Sequence, residues 1–137
     1  MQFNSKRAAQ LVLSVASICT LSLPFTQTAQ AREVQSLCSS QDSTFVGAET
    51  QSFIVSICGS ESPLTYVGLD KKTGKTIRLP LTVDGSQNRG RYFEAVNGEY
   101  TYSVTVASRT NKHLIVRKNN RVILREPIIR NIYTGAY

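Results

Sequence analysis

Apolar and polar residues alternate with a period of two in one segment after another beyond residue 31. In residues 76–83, for example, every second residue is Ile, Leu or Val, and the residues between them are Thr, Arg and Pro. A strand with one buried face requires this spacing, whereas an amphipathic helix repeats apolar residues every three or four positions. No segment beyond residue 31 shows the helical spacing. The sequence therefore predicts an all-β protein.

Turn signals divide this part of the chain into about seven predicted strands that follow one another directly. They cover residues 53–58, 64–70, 76–83, 91–96, 99–104, 113–118 and 122–128. For residues 33–38 the sequence leaves two alternatives, a single helical turn or an extended segment that leads into the first strand. Consecutive antiparallel strands form a meander, which buries one face by curling into a small barrel or by folding into a sandwich. Both architectures remain open at this point.

The turn residues also predict how two of the strands pair. Asn97 and Gly98 are the preferred residues for a type I′ turn, in which both central residues hold a positive φ. A two-residue loop at this point places Phe93 opposite Tyr102. This register puts both aromatic side chains on the same, apolar face of the hairpin.

Three further features bear on the other strands. Gly74 supplies the positive φ that the loop between the second and third strands needs. Pro80 has no N–H to donate, which predicts an edge strand or a bulge at that position. In the last hairpin a two-residue turn opposes Val116 with Ile123, and a three-residue turn opposes it with Leu124. The second alternative sorts the apolar residues better and is slightly preferred.

The first 31 residues have the order of a secretory signal peptide. Lys6 and Arg7 precede an apolar run at 8–25, and Ala29-Gln30-Ala31 supplies the small-x-small pattern that signal peptidase needs. The apolar run is shorter than the roughly 20 residues of a membrane-spanning helix, and polar residues interrupt it. We therefore expect cleavage after Ala31, a secreted or periplasmic protein, and no transmembrane anchor in the mature chain.

Cleavage divides the chain into a signal peptide at 1–31 and a single secreted β domain at 32–137. Cys19 leaves with the signal, so Cys38 and Cys58 remain in a compartment that permits disulfides. One intramolecular bridge is predicted, and a closed loop of about 20 residues stabilises a fold by roughly 3 kcal/mol in the chain-entropy model. A metal or redox pair is disfavoured, because the spacing is far from C-x-x-C and the chain has one histidine.

Charge is distributed unevenly along the mature chain. Residues 32–70 carry a net charge of −4, residues 71–108 a net of +3 and residues 109–130 a net of +6. Eight basic residues cluster around two predicted hairpin tips: Lys71, Lys72, Lys75, Arg78, Arg117, Lys118, Arg121 and Arg125. Basic surfaces attract polyanions, and outside the cytosol we expect an acidic polysaccharide or an envelope surface rather than nucleic acid. A solvated face that keeps an exported protein soluble is the simpler alternative.

Few residues are placed for catalysis. His113 is the only histidine, and Glu126 is expected opposite it on the neighbouring strand, but no G-x-S-x-G or other nucleophile motif accompanies them. Glu94 and Glu99 are expected as diagonal neighbours on a solvated strand face. The sequence contains neither a phosphate-cradling glycine loop nor a metal-ligand cluster. We therefore predict a non-enzymatic protein that needs no cofactor and no metal.

A set of short structural motifs runs through the predicted strands: Ile57-Cys58-Gly59, Tyr66-Val67-Gly68, Leu79-Pro80-Leu81, Phe93-Glu94-Ala95-Val96-Asn97-Gly98 and Glu126-Pro127. In these motifs the chain resembles small secreted cyanobacterial all-β proteins of unassigned function, over about residues 38–128. The resemblance implies an exported β domain and no particular activity.

The segment Arg89-Gly90-Arg91-Tyr92 carries a fainter likeness. It resembles the S-G-x-x-Y motif of the periplasmic and membrane-bound inhibitors of c-type lysozyme, which are small antiparallel barrels with a disulfide. The glycine matches, but arginine stands in place of the serine and the tyrosine comes one place early. The likeness therefore implies a fold and assigns no residue of this chain to inhibition.

These observations lead to two main functional hypotheses, besides that of an uncharacterised hydrolase using His113. The first is a non-enzymatic exported β-domain protein that binds an envelope or extracellular polyanion through its basic hairpin tips, with Tyr66, Tyr92 and Tyr133 as stacking surfaces. The alternative is a proteinaceous inhibitor of a secreted, lysozyme-type wall hydrolase, which the small size, the predicted export and the polar loop at 84–90 favour.

Overall fold

The computed structural model describes residues 33–85 and 91–133. Within these ranges it contains nine β-strands: β1 Ser43–Glu49, β2 Phe53–Gly59, β3 Thr65–Asp70, β4 Thr76–Asp84, β5 Tyr92–Asn97, β6 Tyr100–Val106, β7 Lys112–Lys118, β8 Arg121–Pro127 and β9 Arg130–Tyr133. The predicted signal peptide at 1–31 and most of the polar loop at 84–90 lie outside the described residues. No helix in the described part of the chain reaches the length and apolar character that a membrane span requires.

The strands make one antiparallel sheet that curls into a half-barrel. Its order is β8-β7-β6-β5-β4-β3-β2-β1-β9, so β1 to β8 pair in chain order and β9 adds to the free edge of β1. The predicted all-β meander is confirmed, but the number of about seven strands is wrong. The missed strands are β1 and β9. The central residues of β1 are buried on both faces, its register shifts between Thr44 and Val46, and β9 has four residues. Neither strand therefore shows a regular alternation.

The end of the chain links the two ends of the strand order. β8 pairs with β7 and β9 pairs with β1, although only Ile128 and Ile129 separate β8 from β9. The amide of Ile128 donates to the carbonyl of Lys112 on β7 at 3.1 Å, and the amide of Ile129 donates to that of Glu49 on β1 at 2.8 Å. Because two successive residues bind β7 and β1, which are near opposite ends of the strand order, the sheet must curl to bring these strands together.

The concave face of the sheet holds the hydrophobic core. Its buried apolar residues are Phe45, Val46, Ala48, Val55, Ile57, Tyr66, Phe93, Ala95, Val104, Val106, Leu114 and Ile128. Most of them alternate along their strands with residues of the convex face, as the period of two predicts. Removing such side chains from water, at about 25 cal/mol per Å² of apolar surface, is the main favourable contribution to folding.

The β5–β6 hairpin differs from its predicted register by two residues. Its loop consists of Gly98 and Glu99, which places Phe93 opposite Val104 rather than Tyr102. Gly98 has a φ of 63°, and a glycine at the first loop position is typical of a type II′ turn. The predicted faces are nevertheless correct, because a shift of two residues keeps every side chain on its own side of the sheet.

Type I′ geometry occurs instead in the β7–β8 hairpin. Asn119 and Asn120 hold φ values of 49° and 67°, as both central residues of that turn must. The loop has two residues, but a register shift after it restores the pairing of Val116 with Leu124. Each predicted alternative for this hairpin is therefore partly right. The turn has two residues, as the first alternative predicts, and Val116 pairs with Leu124, as the three-residue alternative predicts.

Pro80 lies inside the sheet, so its predicted edge position is wrong. Leu81 donates its N–H to Leu64 at the start of β3. Position 80 therefore faces β5, and pairing with β5 begins only at Leu81. The register then shifts between Leu81 and Val83, beyond the proline rather than at it. In the β3–β4 hairpin, Gly74 has the predicted positive φ, at 74°.

The segment that precedes β1 covers the convex face of β2. Cys38 forms the predicted disulfide with Cys58, with an S–S distance of 2.04 Å and Cα atoms 5.5 Å apart. The amide of Leu37 donates to Oγ of Ser56 at 2.9 Å, and Val34 is buried. The segment contains no helical turn, so the helical alternative for it is wrong.

We expect the Cys38–Cys58 disulfide to contribute about 3 kcal/mol to the free energy of unfolding, because it cross-links residues 20 positions apart. A variant with Cys38→Ser and Cys58→Ser should unfold at a lower urea concentration than the wild type, as followed by circular dichroism. Reductant should lower the wild-type midpoint and leave that of the variant unchanged. Equal midpoints for the two oxidised proteins would contradict this role.

Candidate functional site

Both predicted hairpin tips lie at one end of the sheet. Alternate connections of a meander share an end, so the β3–β4 loop at 71–75 and the β7–β8 turn at 119–120 lie there together with the β5–β6 turn. The amide of Asn119 donates to the carbonyl of Glu99 at 3.0 Å, which joins two of these turns. We call this end of the sheet the basic end.

Only part of the predicted basic set projects from the basic end. Lys71, Lys72 and Lys75 lie in the β3–β4 loop, and Lys118 and Arg121 flank the β7–β8 turn. All five residues are exposed. Because the two groups come from different hairpins, the fold places at one end charges that are more than 40 positions apart in the sequence.

The other three basic residues lie on the convex face of the sheet. Arg78, Arg117 and Arg125 each alternate with residues of the concave face along their strands. Arg117 is half-buried and donates to Oγ of Ser103 at 3.0 Å. The eight residues predicted to bind polyanions are therefore divided between two surfaces.

Lys71 is neutralised within the fold. Its ammonium group lies 2.6 Å from Oε1 of Glu49 and donates to the carbonyl of Thr50 at 2.7 Å. Arg130 approaches Oε2 of Glu49 at 2.9 Å. The hydrogen bond from Lys71, aided by Arg130, outweighs burial and holds the pKa of Glu49 below its usual value of 4.5. Lys71 therefore joins the β3–β4 loop to the end of β1.

A cavity of about 320 Å³ opens on the concave face at the basic end. Its lining comes from five strands and the β3–β4 loop: Phe53, Tyr66, Gly68, Asp70, Thr73, Lys75, Ile77, Tyr102, Leu114 and Val116. Apolar and aromatic side chains form most of the wall. The space exists because the curled sheet brings β2, β3 and β4 to face β6 and β7.

Tyr66 supplies a buried polar group in the cavity wall. Its side chain is 2% exposed, and its ring centroid lies 5.6 Å from that of Tyr102. The ring lies across Gly68, where a Cβ atom would come within 3.2 Å of the hydroxyl. Burial first, and the neighbouring Tyr102 second, raise the pKa of Tyr66 well above its usual 10.0, so the hydroxyl remains protonated. Its predicted role as an exposed stacking surface is wrong.

Two charged side chains, Lys75 and Asp70, belong to the cavity lining, and a third, Lys118, lies beyond it. Lys75 lies on the β3–β4 side. Lys118 lies beyond the cavity wall on the concave face of β7, with its ammonium group 5.5 Å from the centroid of the Tyr100 ring. Asp70 is also at the rim, but its Oδ1 accepts two backbone amides of the β3–β4 loop at 2.8 and 3.3 Å. The carboxylate of Asp70 therefore stabilises the conformation of the β3–β4 loop and is not used to pair with the lysine side chains.

A second polar cluster occupies the convex face of β5, β6 and β7. Ser103 is fully buried, donates to Glu94 at 3.1 Å and accepts from Arg117 at 3.0 Å. The hydroxyl of Tyr92 donates to Glu94 as well, and burial together with this carboxylate raises the pKa of Tyr92. These groups satisfy one another. Glu99 lies in the turn rather than on this face, so the predicted pair with Glu94 is wrong.

The predicted pairing of His113 with Glu126 is also wrong. His113 lies opposite Pro127, and Glu126 lies opposite Leu114. Glu126 instead accepts the hydroxyl of Ser52 at 2.6 Å and its amide at 3.1 Å. Burial raises the pKa of Glu126, but these hydrogen bonds outweigh burial and hold it below the usual 4.5. The carboxylate therefore anchors the β1–β2 turn to β8.

Arg89 and Gly90, which carry the likeness to lysozyme inhibitors, lie outside the described residues, and so does the side chain of Tyr133. Across residues 33–85 and 91–133, no group of three or more His, Cys, Asp or Glu residues is arranged to hold a metal ion.

Comparison with known proteins found no relative. No protein-family profile, no curated protein and no solved structure matches this chain.

One feature of the sequence, Gly68, points to the cavity, although no candidate residue was predicted there. Gly68 stands alone inside a predicted strand, and such a glycine often marks a close approach by a ligand or by another part of the chain. Here the neighbour is the ring of Tyr66. The volume beside it depends on β6 and β7, which no local pattern in β3 specifies.

Acid should weaken the fold through Glu49. Because the folded-state pKa lies below 4.5, the ionised carboxylate stabilises the fold above that pH, and its contribution is lost as the pH falls through the folded-state pKa. We expect Glu49→Gln to reduce the stability lost between pH 6 and pH 3 by ~0.5–1 kcal/mol, the size of an exposed ion pair. Urea midpoints at the two pH values measure this loss. The control is Glu61→Gln, which removes a charge from an exposed loop; an equal effect of both substitutions would rule out a specific role for Glu49.

Proposed function

We propose that this is a non-enzymatic exported β-domain protein that binds an acidic polymer, such as an extracellular or envelope polysaccharide, at its basic end. The observation that carries the proposal is the set of exposed basic side chains that two hairpins place there: Lys72, Lys75, Lys118 and Arg121. The predicted signal peptide and the disulfide support an oxidising location outside the cytosol.

The basic side chains at this end outnumber the acidic ones, among which Glu99 is exposed in the β5–β6 turn. Among the described residues, the ion pairs are those of Lys71 and Arg130 with Glu49. Asp70 is engaged with backbone amides and Glu126 with Ser52. The remaining lysine and arginine side chains at this end therefore keep their positive field, which attracts a polymer of repeated negative charge.

Alginate, a carboxylated polysaccharide, is a suitable probe, and its affinity should be measured as a function of salt. We expect the Lys72→Gln, Arg121→Gln double variant to bind several-fold more weakly than the wild type. The slope of log affinity against log salt should become shallower by roughly one for each contact removed. The matched control is the Arg78→Gln, Arg125→Gln double variant, which loses the same charge from the convex face and should retain nearly full affinity.

Two results would overturn this proposal. One is the absence of alginate binding by the wild type at about 50 mM salt, where contacts with polyanions are strong. The other is an equal loss of affinity in the two double variants, because binding would then follow net charge and not the basic end.

A further inference from the structure

We propose that the cavity at the basic end is a separate binding site for a small amphiphile. This ligand has an apolar body, an anionic group and an oxygen acceptor within the body. The site shares Lys75 and Lys118 with the proposed polymer surface, but its apolar walls lie on the concave face behind these side chains, so filling the cavity need not alter polymer binding.

The walls of the cavity suit an apolar body. Phe53 and Ile77 lie on one side, and Leu114 and Val116 lie on the other. The volume of about 320 Å³ lies at the lower end of the range for small-molecule sites, which are mostly apolar with a few placed polar groups. A chain or ring system of about a dozen heavy atoms matches this range.

The hydroxyl of Tyr66 provides the polar group inside the site. It is buried in the wall next to Gly68, and it forms no hydrogen bond with any residue in 33–85 or 91–133. A buried donor without an acceptor is unfavourable. An ether, carbonyl or hydroxyl oxygen of a ligand supplies the missing acceptor.

The rim selects the charge of the ligand. Lys75 lines the cavity, and Lys118 follows the lining residue Val116 on the same face of β7. Asp70 also lines the cavity, and its carboxylate is bound to two amides of the β3–β4 loop. Two ammonium groups against one carboxylate leave a net positive charge around the cavity, which favours an anionic group. A cationic group at the same place would be repelled by the ammonium groups of Lys75 and Lys118.

Displacement of the fluorescent anion 1-anilinonaphthalene-8-sulfonate from the folded protein tests occupancy and charge preference. We expect decanoate to displace it at a concentration at least ~5-fold lower than decyltrimethylammonium does, which is about 1 kcal/mol of electrostatic discrimination. The Lys75→Gln, Lys118→Gln double variant should lose most of this preference. The Lys72→Gln, Arg121→Gln double variant removes the same charge at the same end, and it should retain the preference.

A second pair of variants tests the position of the site. Ile77→Phe places extra volume in the cavity and should weaken binding of the fluorescent anion ~10-fold or more, while alginate retention stays unchanged. The control, Val122→Phe, adds the same ring at an exposed position on β8 and should leave both unchanged. Circular dichroism and the urea midpoint verify that each variant is folded.

The role of Tyr66 is tested with two ligands of equal chain length. Decanoate has an all-carbon chain, whereas 2-(2-butoxyethoxy)acetate carries ether oxygens in a chain of the same length. We expect Tyr66→Phe to weaken the ether ligand ~3-fold or more relative to decanoate, which is the scale of one neutral hydrogen bond. The thermal midpoint of the ligand-free variant should not fall, since the hydroxyl has no partner to lose among the described residues.

Three outcomes would overturn the proposal: no binding of the fluorescent anion to the folded protein, unchanged binding in Ile77→Phe, or no preference for decanoate over the cation. If these occur while alginate binding behaves as expected, polymer binding stands and the cavity is only a packing gap. If the cavity results hold and alginate does not bind, the small-ligand site stands alone.

Discussion

The backbone hydrogen bonds of Ile128 and Ile129, to β7 and to β1, hold the curled architecture together. A meander that lacked them would have nothing in its backbone to link the two ends of the sheet, and its apolar face would be open to water. The last part of the chain pairs first with β7 and then with β1, and thereby brings the two ends of the strand order together. The contact is made by the backbone, since the side chain of Ile129 is 57% exposed while its amide is bonded.

Curling creates both the core and the cavity. Where large side chains such as Phe93 and Val104 meet on the concave face, the interior is filled. Near the basic end, Gly68 contributes no side chain, and the ring of Tyr66 lies across it. The space that remains between β3 and β6 is open at the end where two basic hairpins project. One geometric fact, that alternate connections of a meander share an end, therefore underlies both functional proposals.

Local patterns were sufficient for most strands and for the faces of the sheet. The alternation in β4 identified Ile77 and Leu79 as inward-facing, and the apolar face of the β5–β6 hairpin was correct although its register was not. The face of the sheet on which a side chain lies repeats every two residues, so a register shift of two residues leaves the burial pattern unchanged. The pattern therefore cannot distinguish a loop at Asn97-Gly98 from the observed loop one residue later.

What could not be predicted depends on contacts between distant segments. β1 lacks alternation because the N-terminal segment buries its outer face as well, and β9 is recognisable only beside β1. The partner of Glu126 was missed because Ser52 belongs to a turn 74 residues away in the sequence. The cavity has the same origin, since its two walls come from hairpins that meet only after the sheet curls.

Amide hydrogen exchange at Ile128 and Ile129, followed by NMR, tests the closure of the sheet most directly. If the segment between β8 and β9 links β7 to β1, the two amides should be protected to a similar degree as that of Ile57 in the core, despite the exposed side chain of Ile129. Exchange of the Ile129 amide at the rate of a solvated loop, while Ile57 stays protected, would show that the two ends of the sheet are not linked and would contradict the account.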